Sequence, residues 1–316
     1  MTDIRYSMDS TAIPAELFAP LTEAERPVER IARPARSYAQ DAWRRFRKNK
    51  LAIVGLAILV VVALFAIFGP MFSQYTYDGQ NFADGNQGPS AAHWFGTDKF
   101  GRDLWVRSMY GARISLAIGF VAALINMVIG TIYGGISGYF GGKVDLVMMC
   151  IVEIIYGIPQ MCYVILIMLL LDRSATSIVL AMCVTYWMGT ARTVRTQILS
   201  LRNEEFVLAA RVTGESSARI IRKHLIPNCV GSIIVNVTYL VPQAIFLEAF
   251  LSFLGVGIQQ PQASWGSLAN EAISSVITGK NLHLMFFPAL LISITVFALN
   301  FIGDGMRDAL DPKQTR

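Results

Sequence analysis

Six apolar stretches, 51–68, 114–134, 144–171, 177–196, 232–254 and 284–302, dominate this chain of 316 residues. Each is near the length of helix that crosses about 30 Å of hydrocarbon at about 1.5 Å per residue. Backbone N–H and C=O groups find no water there and must pair within the segment, which a helix does. The composition agrees, at 54% hydrophobic and 16% charged residues, and excludes a water-soluble globule. The chain therefore reads as an all-α polytopic membrane protein with about six transmembrane helices. The third stretch is overlong, and Pro159 is expected to kink it. A division into two short halves, or a re-entrant arrangement, is the alternative.

Charge then orients the spans. The formal net charge of +5 resides in loops, where Lys and Arg mark the cytoplasmic side. Residues 41–50, DAWRRFRKNK, join Trp43 and Phe46 to a basic cluster and read as an interfacial helix against anionic lipid. Segment 189–230 carries Arg192, Arg195, Arg202, Arg211, Arg219, Arg222 and Lys223. Both belong in the cytoplasm, so six crossings place both termini there. Residues 1–40 have no periodic apolar face and read as a flexible tail; Asp3, Asp9 and Glu16 argue against a signal peptide. Basic residues beside apolar spans speak for orientation and not for nucleic acid. Cys150, Cys162, Cys183 and Cys229 have no CxxC spacing, and His93 stands alone, so no metal site is expected.

Between the fourth and fifth stretches lies the longest charged segment set among apolar ones, 204–228, EEFVLAARVTGESSARIIRKHLIPN. It reads as a helix ended by Gly214, which enters a left-handed cap without a Cβ penalty. Ser216 is expected to cap a second short helix through its hydroxyl, and Pro227 to stop it. The segment resembles the EAA loop of ABC-importer permeases, carried here by Ala209, Ala210, Gly214, Ile226 and Pro227. Leu208 stands where that motif has its Glu. In that family the loop sits in a cleft of a separate ATPase subunit, so the resemblance makes 204–228, with Ser216 and Arg219, a coupling element.

Three further runs resemble the oligopeptide/dipeptide branch of the same permeases: HWFGTDKFGRDLWVRSMYGARISLAIG (93–119), AFLSFLGVGIQQPQASWGSL (249–268) and NFIGDGMRDALDPK (300–313). The Gly-Thr-Asp and Gly-Arg-Asp steps read as tight turns whose Asp side chains satisfy local backbone donors. The resemblance implies a type I ABC-importer permease-like fold in a bacterial inner or plasma membrane. It divides the chain into a tail (1–40), an interfacial helix, first span and outer loop (41–113), a permease core (114–305) and a cytoplasmic C-terminal tail (306–316). It also implies the partners: a second related permease chain, two ATPase subunits that use ATP and Mg, an extracytoplasmic binding protein and membrane lipid.

Gly130, Gly134 and Gly138 recur every fourth residue and share a helix face on which another helix can rest closely. Glu153 and Glu248 lie inside apolar stretches, where a charge costs at least a few kcal/mol unless it meets a partner or a water-filled cavity. They read either as lining of a translocation pathway or as structural hydrogen-bond nodes. Cys150 stands where the family often has an Arg three residues before this acid, so Glu153 must find another partner or be protonated.

Catalytic motifs are wanting. SGYFGGKV (137–144) has Ser137 in place of the first phosphate-loop Gly and Val144 where Ser or Thr would bind Mg. No HExxH or GxSxG occurs. No catalytic residue and no cofactor bound by this chain are expected. The reading is a permease subunit of an ATP-driven importer for peptides or similar small solutes. The alternative is an ion-gradient-driven secondary transporter using Glu153 and Glu248.

Overall fold

A computed structural model of the protein describes residues 38–310. Nearly all of the expected tail 1–40, and residues 311–316, lie outside the described residues. From Ala39 onward the chain clusters as a single unit. In chain order its helices are α1 (Tyr38–Phe46), α2 (Lys50–Phe68), α3 (Leu104–Phe140), α4 (Gly142–Tyr156), α5 (Gln160–Leu170), α6 (Ala175–Thr185) and α7 (Trp187–Leu201). There follow α8 (Glu205–Val212), α9 (Ser217–Ile220), α10 (Ile226–Phe253), α11 (Trp265–Glu271), α12 (Ile273–Thr278) and α13 (His283–Leu310). Among the described residues the extended pairing is limited to one isolated bridge, Thr97 with Asp103.

Four helical segments are long and apolar enough to cross a membrane alone: Lys50–Phe72, Leu104–Phe140, Ser217–Phe253 and His283–Leu310. A fifth crossing exists if α4 and α5 are one span, and these two meet at a 77° bend. Pro159 sits at the start of α5, where its missing N–H costs nothing, and the chain turns there. The expected span 177–196 is divided in the structure. It falls across α6 and α7, of 11 and 15 residues, which meet at Tyr186 and do not qualify as one long apolar helix. The reason is compositional: α7 becomes polar within three residues of its start, at Thr190, Arg192, Thr193 and Arg195.

Helix α3 is the central post. At 37 residues it is about 55 Å long, well beyond the hydrocarbon, and it packs along α7, α10, α2 and α6. Gly130, Gly134 and Gly138 face α7. A Cβ on Gly130 would stand 2.6 Å from the Trp187 carbonyl oxygen, and one on Gly138 2.8 Å from that of Arg195. At Gly134 it would overlap the Ala191 carbonyl oxygen. The absence of side chains on this face lets the two backbones touch.

Two expected boundaries move. Helix α13 continues through 305–306 to Leu310, with Ala309 and Leu310 buried. In the interfacial helix Trp43 is exposed, but Phe46 is buried against Ala52 and Ala309 and not free for lipid. Gly305 makes room for that contact, since a Cβ there would strike the Ala52 side chain.

Candidate functional site

The segment 204–228 is built on α7. Val207 and Ala210 of α8 and Ile220 of α9 join Val194 and Ile198 of α7 in one buried cluster with Leu225, Cys229 and Ile233. These apolar positions root the loop, and the Arg211 guanidinium adds a cation–π contact 5.1 Å from the Tyr139 ring centroid of α3. Gly214 is left-handed, at φ 80°. The Gly214 N–H donates to Arg211 O at 3.0 Å and the Glu215 N–H to Ala210 O at 3.1 Å. This pair of bonds is a Schellman cap, and it closes α8 where the sequence places the break.

Beyond the cap two details differ from expectation. Ser216 holds the N-cap position in extended backbone, but its side chain makes no capping hydrogen bond. Pro227 does not stop the helix. Ile221–Leu225 form a π turn, in which the Ile226 N–H reaches back to Ile221 O, and Pro227 follows in the first turn of α10. The widened turn changes which carbonyls are used, so the missing proline donor and its ring are accommodated. The result is one helical rod, Ser217–Phe253, of 37 residues. Glu215 ties the cap to this rod, with its Oε2 2.9 Å from His224 Nε2 and its Oε1 3.9 Å from Lys223 Nζ.

The outward surface of the segment is mixed. Ala210 is buried and Ala209 exposed; Ile226 is half-buried and Pro227 exposed. Leu208 and Val212, one turn apart on α8, are both exposed, Val212 at 89%. Arg219, Arg222 and Lys223, further along the segment, are exposed as well. Exposed apolar and basic residues together, on a loop with a buried apolar root, have the composition of a docking surface.

The two intramembrane carboxylates have different fates. Glu153 of α4 finds its partner in Arg192 of α7, at 2.9 Å, and that guanidinium also lies 4.3 Å from the Tyr156 ring centroid. Asp145, two turns earlier on α4, is bound by Arg195 through Nη2 at 2.5 Å. Two ion pairs thus strap α4 to α7. Glu248 of α10 is 0% exposed and accepts hydrogen bonds from Ser115 of α3 at 2.7 Å and Ser252 at 2.8 Å. Ser115 also accepts from the Trp265 N–H of α11 at 3.4 Å. This is the geometry of a node joining three helices.

A second buried network in the outer loop was not anticipated from sequence. Asp98 accepts from the Phe100 and Arg102 backbone N–H groups, at 2.8 and 3.0 Å, as a turn Asp should. It also binds Arg102 Nε at 2.6 Å and Arg107 Nη1 at 2.7 Å. Both arginines reach Glu271 of α11, Arg107 in a two-pronged contact at 2.6 and 2.9 Å. Asp103 caps α3 through the Val106 N–H and pairs with His93 at 2.8 Å. The outer loop is thereby fastened to the segment between α10 and α13.

These features can be set against known proteins. Residues 127–316 match the family model described as the binding-protein-dependent transport system inner membrane component. Residues 37–89 match the N-terminal transmembrane domain of oligopeptide transport permease C. The chain belongs to this permease family. It is 49% identical over 315 residues to the dipeptide transport system permease protein DppC of Bacillus subtilis, covering 100% of this chain and 98% of that one. It is 46% identical to the oligopeptide transport system permease proteins OppC of Bacillus subtilis and Escherichia coli, covering 95% and 90% of this chain and 98% and 94% of theirs. Among solved structures, a chain of the inward-facing MetNI methionine ABC transporter matches with a TM-score of 0.51 at 20% identity, covering 66% of this permease and 96% of that chain. The permease therefore has the type I ABC-importer fold, and it sits in the oligopeptide/dipeptide branch.

Proposed function

We propose that this permease carries peptides or similar small solutes into a bacterial cell as one of two membrane subunits. Two separate ATPase subunits, using ATP and Mg, supply the energy, and an extracytoplasmic binding protein delivers the solute. The relatives' roles support the substrate class, and the segment 204–228 supports the coupling. The observation that carries the proposal is the helical run from Ser217 to Phe253, which starts three residues after the Gly214 cap of α8, the helix that carries the exposed Leu208 and Val212. Force applied there enters a helix that runs on through the π turn and Pro242 to Phe253. In this reading Arg219 meets the motor, and Gly214 sets the angle between α8 and the rod. The ion-gradient alternative would ask Glu248 to exchange protons with water, and its complete burial favours the ATP-driven reading.

The test is transport beside ATP hydrolysis in the reconstituted complex with its binding protein. Gly214→Val forces a β-branched residue into left-handed backbone, and Arg219→Glu reverses an exposed charge. Each variant should assemble, yet lower transport by about tenfold or uncouple it from hydrolysis, as the loss of more than about 1.4 kcal/mol at a docking contact would. Normal transport with normal substrate-stimulated hydrolysis in both would remove 204–228 from the coupling path.

A further inference from the structure

An open pocket of about 300 Å³ lies in the outer loop, where α2 has ended and α3 begins. Phe72, Tyr75, Trp94 and Trp105 give it aromatic walls, and Asp103 is the one charged residue in its lining. Two of the rings are fixed by their neighbours. Tyr75 stacks on His93 with centroids 4.5 Å apart, while Trp105 meets Trp94 at 5.0 Å and donates from its indole N–H to Gly69 O at 3.4 Å. Trp94 and Phe72 stay open to the surroundings, at 51% and 72% exposure.

Asp103 is buried, yet its bonding capacity is not spent. One oxygen accepts from the Val106 N–H and the other pairs with His93 Nδ1, which uses two of the roughly four acceptor sites of a carboxylate. A neutral His93 that donates from Nδ1 leaves the negative charge in place. Aromatic faces attract a cation through their quadrupoles, and a carboxylate beside them supplies counter-charge and acceptors. With no Lys or Arg in the lining, this is a cage for an organic ammonium.

Position selects which ammonium. Phe72 ends the membrane-length run Lys50–Phe72 and Leu104 opens the run Leu104–Phe140, so the pocket stands at the level of lipid headgroups. Phe68, Phe65 and Val61, one to three turns further into the span, are exposed and offer an apolar track for acyl chains. We propose that this pocket holds the primary ammonium of an ethanolamine phospholipid in the outer leaflet. The three N–H donors of that group suit the spare acceptor sites of Asp103, whereas a trimethylated choline has none to give. Ser73 and Gln74, also in the lining, offer a hydroxyl and an amide to the phosphate. A lipid seated there ties the outer loop to the membrane surface beside the first span. The leaflet, though not the site, follows from the orientation read above, and the site stands whatever solute the permease carries.

Photolabelling of the purified transporter, assembled with its partner subunits in detergent, tests this. The probe is phosphatidylethanolamine with a diazirine on the acyl chain next to the glycerol, and adducts are mapped by peptide mass spectrometry. Labelling should fall within residues 61–105 and be displaced several-fold better by unlabelled phosphatidylethanolamine than by phosphatidylcholine or phosphatidylglycerol. Trp94→Ala opens one wall at an exposed position, and Asp103→Asn removes the charge while keeping a side-chain cap for α3. Each should cut the labelling several-fold, and if Asp103→Asn lowers the yield of complex, Trp94→Ala decides alone. Equal displacement by the three lipids, or labelling untouched by Trp94→Ala, would overturn the site. If short peptides with a free amino terminus displace the probe as well as phosphatidylethanolamine does, and N-acetylated ones do not, the cage serves a solute ammonium and the lipid assignment falls.

Discussion

Arg107 is 0% exposed and belongs to a cluster of charges that a water-soluble surface would never need. With Arg102 it holds Asp98 and Glu271 together, and removing one member of a buried ion cluster costs up to about 3–5 kcal/mol. Arg107→Met should therefore lower the thermal unfolding midpoint of the purified complex sharply, whereas Arg107→Met with Glu271→Leu should regain part of the loss. A double variant no more stable than the single one would mean that the pair is not coupled. Sequence made half of this cluster legible. The Gly-Thr-Asp and Gly-Arg-Asp steps announce turns, and Asp98 and Asp103 do serve local N–H groups. Glu271 stands 164 residues from Arg107, and no local rule of spacing connects them. Likewise Cys150 left Glu153 without a partner on its own helix, while Arg192 waited on another.

Elements defined by local chemistry were read well, and those defined by packing less well. Gly214 ends α8 through its own backbone freedom, so one residue type and its neighbours suffice. Pro227 misled for the converse reason: a proline removes one helical donor but need not end the helix, as Pro242 and Pro288 inside α10 and α13 also show, and Pro227 follows the π turn Ile221–Leu225. The glycines of α3 show a third case. Their spacing of four marks a face, and the structure supplies the backbone of α7 that meets it. Gly134→Leu should push α3 from α7 at the Ala191 carbonyl and reduce the yield of assembled complex severalfold, with Gly189→Leu, which meets open space, as the tolerant comparison. Equal yields from the two variants would mean that the close approach is dispensable.

For the whole molecule, hydropathy located the long spans and hid the breaks within the short ones. A window of about 20 residues suits α2, α3, α10 and α13, but α4 with α5 and α6 with α7 divide at Pro159 and Tyr186. The proposed orientation, with the basic loop inside, is open to direct trial. Ser216→Cys should be silent to an impermeant thiol reagent in intact cells and reactive after permeabilisation, while Ala83→Cys in the outer loop should react at once; both positions are exposed. Labelling of Ser216→Cys from outside would invert the topology. The π turn has a last consequence, which concerns phase. It separates Arg219 from α10 on a single helical run, and each residue of helix contributes about 100° of rotation and about 1.5 Å of rise. A chain with Arg222 deleted from Ile221–Leu225 would keep the Glu215 contacts to Lys223 and His224 in its sequence, yet present Arg219 about a quarter-turn away from its present bearing relative to α10. Those five residues set the bearing of Arg219 against that of α10.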